Sequence, residues 1–400
     1  MSVEERVFIA GAGPVGMVAA ANLVRYGIPV TVFESGAKLS GESRASTFHP
    51  STLDMLDDLG FAKPLIETGL VAPRFQYRTR QDGIIGAFDF AAIADVTRHP
   101  YRLQNEQFKL TGIVLDKLKD NPNFRIEFGK EVVGVDQNAD SVTVSLANGA
   151  GPAETRSGRW LVGADGASSA IRHGLNIEFE GFTWPERFLV VSTPFDFYSV
   201  IPGLDSVSYV ADPVQWYFLL QIPGMWRVMF PIAADMSDEA AMAPDYAQAS
   251  LRRVVPEVAN FEVLHTTLYR VHQRVAKTYR NGRAFLAGDA AHINNPLGGM
   301  GMNGGIHDAI NLTERLAMVM KGGAQDEELD RYDRQRRQVT VEYVQSQTIK
   351  NKQNLEAKTE EDRVRFRDEM QRASEDPVLA RQYLMRVSMF ASLKRAAELG

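Results

Sequence analysis

Two stretches of this chain space glycines as a backbone must when it comes close to a phosphate. They are Gly11, Gly13 and Gly16 in "GAGPVG", and Gly299, Gly301 and Gly304 in "GGMGMNGG". Three acids stand out near such turns: Glu34 closing "IPVTVFE", Asp165 in "VGADGASSAIR", and Asp289 in "GRAFLAGDAAH". A G-x-G-x-x-G carries chemistry only between a strand and a helix, where backbone N–H groups and the helix N-terminus meet a pyrophosphate. The first match meets that condition. The second does not, because "RAFLAG" ends before Asp289 and Gly299 lies ten positions beyond that acid. Its glycines form a loop that opens a helix near Gly301, with N–H groups aimed at something flat or anionic.

The elements that position these residues follow from the pattern. "RVFIA" is a buried-type strand running into Gly11, and small apolar residues then recur at helical spacing from Pro14 to Tyr26. Pro14 suits the first helical turn, and Gly27 suits the stop. With "IPVTVFE" this makes a β-α-β unit of a parallel sheet. Gly11 gives the turn, Gly13 admits the phosphate, Gly16 lets helix and strand pack closely, and Glu34 can accept from a ribose. Further on, 40–60 reads as a loop leading into a helix and 104–118 as a helix. A hairpin is expected over 130–146, and 158–166 as a strand ending in a tight turn. From 186 to 270 the chain is rich in strands and aromatics, as an inserted antiparallel sheet would be. After 301 it is helical, and the 331–375 tail, dense in both charge signs, reads as a solvated helical face.

Bulk properties narrow the partners. A net charge of −6 gives no basic footprint for nucleic acid. The absence of cysteine excludes dithiol redox centres and thiolate zinc sites, and none of the seven histidines shows metal-ligand spacing. Neither a signal peptide nor an apolar run of membrane-spanning length is evident, so a cytoplasmic protein without membrane contact is expected.

Taken in order, "GAGPVG", "VGADGASSAIR" and "GRAFLAGDAAHINNPLGGMGMNGGIHDAINL" resemble the single-component FAD-dependent aromatic hydroxylases, the group containing 4-hydroxybenzoate hydroxylase. The resemblance spans roughly residues 5–320 and implies an α/β fold. A Rossmann-type FAD-binding part covers 1–180, an antiparallel substrate sheet 181–272, the flavin-ring loop and helix 273–320, and a helical C-terminal region 321–400. By position it implies that Gly11, Gly13, Pro14, Val15, Gly16 and Glu34 hold the ADP half of FAD. Asp165 and Gly166 lie near the pyrophosphate and serve nicotinamide use, with Arg172 closing that segment, and Asp289 binds the ribityl hydroxyls. The backbone N–H groups of Met302 and Asn303, in the turn opened by Gly301, face the flavin pyrimidine oxygen. Arg44 in "SRAST" and Gln104 in the Y-x-x-Q-x-x-x-x-x-L stretch stand at the flavin, with a loop salt bridge or helix cap as their alternatives. The implied reaction is reduction of FAD by NAD(P)H, O2 addition to a flavin C4a-hydroperoxide, and oxygen transfer to a phenolic or hydroxypyridine-type ring. Ser35 stands where an arginine would meet a 2′-phosphate, which leans the coenzyme toward NADH.

The chain departs from that pattern in useful places. Asn295 precedes Pro296 where the hydroxybenzoate enzymes carry two prolines, so Pro296 alone remains on the side of the reacting flavin carbon. The benzoate-carboxylate clamp falls on Tyr209, Ala211 and Leu219, which argues against para-hydroxybenzoate as substrate. Tyr209, Trp216, Phe218, Leu220, Arg227 and Leu297 are candidates for the substrate wall, with core packing as the alternative for each aromatic. His49, His99 and Tyr209 are candidates for the activating base, and His292 is expected to be structural. Oligomeric state is open between monomer and homodimer. Two rival functions remain: an FAD-dependent reductase or halogenase without ring hydroxylation, and a non-catalytic flavin-binding regulatory protein.

Overall fold

Five parallel strands carry the N-terminal fingerprint in this computed structural model, which describes residues 3–42, 45–147 and 153–400. Across the sheet they run Phe124–Phe128, Val30–Glu34, Glu4–Ala10, Glu154–Gly163 and Ala284–Leu286. Val7, Phe8, Ile9 and Ala10 are all buried, so the central strand is covered on both faces, and its sequence is an unbroken apolar run for that reason. The helix Pro14–Arg25 follows the first strand, and Gly27 (φ +73°) ends it. That helix packs on the long helix Met300–Met320, with Asn22 Nδ2 donating to Thr313 Oγ1 across a fully buried seam (2.8 Å). The hairpin Glu131–Gln137/Val142–Ala147 extends the sheet through the first half of Glu154–Gly163.

The second sheet has eight strands in the order His292–Ile293, His265–Ala276, Phe179–Thr193, Met225–Ile232, Tyr217–Ile222, Val207–Ala211, Arg74–Thr79 and Gly83–Asp89. It is antiparallel except where Val207–Ala211 lies parallel to Arg74–Thr79. The last two strands come from within the 1–180 range, so the sheet is larger than the 181–272 block. Phe75, Tyr77 and Phe88 extend its apolar face, and burying them against that block draws the segment in. Alternation sorts the residues as a half-buried sheet must. Tyr209, Phe218 and Leu220 share one core, while Val210, Tyr217, Leu219 and Trp226 share another, which also takes residues of the helix Pro244–Val254.

Two local readings need correction. Gln104 lies on a short strand, Arg102–Gln104, paired with Thr47–Phe48 and Leu70–Ala72, and the helix spans only Gln107–Leu118. Pairing and complete burial override the helical pattern there. The charged tail is also more than a solvated face. Glu328–Val339 continues through a π-helical turn, Thr340–Gln345, into Ser346–Glu356, and this segment buries Tyr332, Arg336, Thr348 and Lys352. Lys352 is held by Glu186 (3.3 Å) and Glu356 over the Trp184 ring. No helix among the described residues is long and apolar enough to cross a membrane.

Candidate active site

At the fingerprint the three glycines separate by what surrounds them. A Cβ on Gly11 (φ +96°) would lie 2.5 Å from the Ala164 carbonyl oxygen, and one on Gly16 would lie 2.0 Å from that of Gly11. Those two positions are demanded by packing. Around Gly13 no atom comes within 4 Å of such a Cβ, so this glycine borders free space at a helix start that has no side-chain cap. Val15 wedges between the turns, against Gly288 and Gly305. Glu34 accepts from Ala12 N and Gly36 N, both at 2.8 Å, which fixes its carboxylate at the strand end beside that space.

The Asp165–Gly166 turn is tied to the turn that bears Asp289. Arg172 donates to the Ala167 carbonyl (2.8 Å) and the Ala290 carbonyl (2.9 Å), its guanidinium lying 3.9 Å from the Phe179 ring centroid. Asp165 Oδ2 accepts from Ile171 N (3.2 Å), while Oδ1 is buried with no partner among the described residues. Burial pushes this carboxyl up, and hydrogen bonds from Ser169 and Ile171 oppose the shift. Asp289 is exposed on the one-turn helix Gly288–Ala290. Behind it, Asp308 accepts from His292 Nε2 (2.8 Å), Gly288 N (3.1 Å) and Arg336 Nε (2.7 Å). All three side chains are almost wholly buried, and despite desolvation His292 and Arg336 hold the Asp308 carboxyl down to about 2.

The glycine-rich loop is fixed by side chains from four directions. Gly298 (φ +102°) and Gly299 (φ +66°) adopt left-handed conformations, and the helix Met300–Met320 starts without a side-chain cap. Its first N–H groups, those of Met300, Gly301 and Met302, have no intrahelical acceptor, and that of Asn303 follows directly. The Asn303 side chain accepts from His49 N (2.9 Å) and donates to Thr47 O (2.8 Å) and Gly299 O (2.6 Å). His49 Nε2 donates to Gly298 O (2.8 Å), and burial, then the nearby Arg102 charge, hold its imidazole well below the ordinary range. His49 is thus a neutral brace of the loop. Asn351 Nδ2 donates to Leu297 O (3.1 Å), and Asn295 Nδ2 donates to Thr348 O (2.9 Å). Pro296 itself is exposed and Leu297 fully buried. Gln104 Oε1 accepts from Thr47 Oγ1 (2.7 Å), leaving Nε2 buried without a partner among the described residues. Arg44 lies outside the described residues.

Above the loop stands an aromatic wall. Tyr209 stacks on Phe218 (4.7 Å between centroids) and on Tyr77 (5.1 Å), and Trp216 meets Phe188 edge-on. These residues share one apolar cluster with Leu220, Leu297 and Met300. Arg227 sits beside Leu220 on the neighbouring strand and donates to Ser46 Oγ (3.3 Å). The six wall candidates therefore come together with the loop, whereas Leu219 faces the opposite core. His99 is engaged elsewhere, with Asp54 (2.9 Å). The sequence reading missed Tyr77, Tyr383, Arg102, Thr348, Asn351 and Asp308. For Arg102 the signal was adjacency, since it sits two residues before Gln104 on the same side of a strand.

Several features fit a flavin dinucleotide. They are the space at Gly13, two uncapped helix starts, and buried unpartnered atoms on Asp165 and Gln104. A family model described as "FAD binding domain" matches residues 4–347. Over 390 residues the chain is 33% identical to para-nitrophenol 4-monooxygenase of Pseudomonas sp. (strain WBC-3), covering 96% of each. It is 34% identical over 358 residues to 6-hydroxy-3-succinoylpyridine 3-monooxygenase HspB of Pseudomonas putida (strain DSM 28022 / S16), covering 89% of this chain and 90% of that one. Among solved structures, p-nitrophenol 4-monooxygenase PnpA from Pseudomonas putida DLL-E4 superimposes with a TM-score of 0.92 at 32% identity, covering 98% and 99% of the two chains.

Proposed function

Because the chain belongs to the FAD binding domain family and is an FAD-dependent aromatic monooxygenase, we propose that it hydroxylates a phenol or hydroxypyridine using O2 and a nicotinamide coenzyme. The observation that carries this reading is the shared cluster of loop and wall: Leu297 and Met300 of the glycine loop pack with Tyr209, Phe218 and Leu220. An aromatic ring held there lies against the loop that faces the flavin. FAD, when bound, supplies the two-electron chemistry with O2, and the protein supplies binding, orientation and dryness.

In this reading Gly11, Gly13, Gly16 and Glu34 hold the ADP half, and Asp289 takes the ribityl hydroxyls. The N–H groups of Met302 and Asn303, at the positive end of a 21-residue helix, would hold the electron-rich edge of the flavin ring. Gln104 Nε2, without a partner among the described residues, would donate to the flavin edge, and Pro296 with Leu297 would shape the substrate side of the ring. Asp165 and Gly166 serve a nicotinamide coenzyme arriving from the surface. NADH is favoured because Ser35 follows Glu34. The cytoplasm, where reduced coenzyme is abundant, is the compartment that fits. The reductase, halogenase and non-catalytic readings give way to the monooxygenase assignment.

The test is isotopic. With labelled O2, NADH and a panel of phenols and hydroxypyridines, one labelled oxygen should enter the aromatic product. Label arriving from water instead would overturn the reading.

A further inference from the structure

Arg102 is a buried cation that the fold leaves without an anion. It is 2% exposed, on the strand Arg102–Gln104. Among the described residues its side chain makes no hydrogen bond and no ion pair, and Nε is buried without a partner. Other buried cations are answered within the fold. Arg336 meets Asp308, Lys352 meets Glu186 and Glu356, and Arg172 meets two backbone carbonyls. What Arg102 has is ring faces, with its guanidinium 4.3 Å from the centroid of Phe75 and 5.6 Å from that of Phe90. Quadrupoles offset only part of the loss of hydration, so a lone buried charge stays costly until an anion meets it.

Its surroundings say what kind of anion. Phe75 and Phe90 belong to the same apolar cluster as Tyr209, Phe218, Leu297 and Met300. Gln104, whose Nε2 is also unpartnered, projects to the same side of the strand two residues on. The titratable groups that feel the Arg102 charge are His49, Tyr77 and Tyr383. Burial keeps the imidazole neutral, and burial also raises both phenols, whose hydroxyls pair at 2.8 Å. None of the three is anionic at neutral pH. The cation therefore lies against the aromatic cluster that also holds Leu297 and Met300 of the glycine loop, with no carboxylate paired to it among the described residues.

We propose that Arg102 binds the ring-borne oxyanion of the aromatic substrate, so that this chain takes phenols and hydroxypyridines as their ionised forms. The inference rests on the aromatic-hydroxylase reading and names the group that would impose it. A planar guanidinium offers its N–H donors to the charged ring oxygen, which an uncharged nitro group does not match. An opposite charge in a dry site favours the ionised ligand. Arg102 thus lowers the pH at which a bound phenol loses its proton, without any protein base being charged.

The experiment uses the FAD-loaded chain with 4-nitrophenol, whose visible absorption reports its own ionisation. In the parent protein the bound phenol should ionise at lower pH than in free solution. Arg102→Met should move that ionisation upward by about one pH unit and weaken phenolate binding roughly tenfold. Nitrobenzene, which has no ionisable oxygen, should bind both proteins within about twofold. Arg102→Lys should restore most of the ionisation shift. Were Arg102→Met to lose FAD, Arg102→Gln compared with Arg102→Lys reads the same shift. Unchanged ionisation and affinity in the charge-removing variant overturns the role of Arg102 while leaving the hydroxylase reading intact. If the parent binds neither 4-nitrophenol nor a hydroxypyridine, the hydroxylase reading fails and takes this inference with it.

Discussion

Replacing Asp308 with Asn should lower stability by about 3–5 kcal/mol, because it leaves Arg336 charged, buried and unanswered. The size follows from the geometry. The Asp308 carboxyl falls from 3.8 to about 2, a linkage worth about 2 kcal/mol. The folded value lies below the unfolded one, so this contribution is complete above pH ~4 and disappears as pH falls through ~2. At neutral pH it is fully present. The variant loses that term and adds the cost of the stranded guanidinium. For 400 residues, an unfolding entropy of about 2.1 cal/mol/K per residue converts the loss to a fall of roughly 4–6 °C in the melting midpoint. Scanning calorimetry of the FAD-free chain measures it directly. The double variant Asp308→Asn/Arg336→Met removes both charges and should recover at least half of the loss. A shift under about 1 °C for the single variant, or strict additivity in the cycle, would refute the reasoning. Asp308 also accepts from Gly288 N, so weaker FAD binding through the Asp289 turn should accompany the change.

Three further outcomes are expected. Gly13→Ala should leave the melting midpoint of the FAD-free chain within about 1 °C yet weaken FAD roughly tenfold in a fluorescence titration. Gly16→Ala, whose Cβ would lie 2.0 Å from the Gly11 carbonyl oxygen, should cost the fold about 1–3 kcal/mol. Asn351→Ala removes the donor to Leu297 O, and Pro296→Gly frees the next peptide upstream. Both should raise hydrogen peroxide per NADH consumed, measured with an oxygen electrode and catalase, and unchanged coupling in both would show that the loop needs neither restraint.

The parallel β-α-β unit, the two kinds of glycine loop and the ordering of the sheet face around Tyr209 were legible because each is local. The strand Arg74–Thr79 was not, since it pairs with Val207–Ala211 more than a hundred residues away. Gln104 was read as helix because the helical pattern of 107–118 extends back to it, while its pairing with Thr47 is invisible in sequence. Arg336 and Lys352 looked like solvent charges for a simple reason. A charge pair looks the same in sequence whether it closes in water or in a core. Arg102 was passed over for the opposite cause, since nothing in "YRLQ" tells that the partner is missing.

The aromatic wall also has a history in time. Tyr77 hydrogen-bonds Tyr383, and Ser51 Oγ donates to the Ser388 carbonyl (2.6 Å), so residues 51–77 are completed only by residues some three hundred positions later in the chain. At about 5–20 residues per second, a ribosome takes roughly 15–60 s to travel from one tyrosine to the other. Throughout that interval the nascent chain holds out the Phe75–Phe88 strand pair before its neighbour Val207–Ala211 exists, and then still without its helical cover. The apolar edge stays uncovered over that interval, and the wall is completed only once Tyr383 has been made.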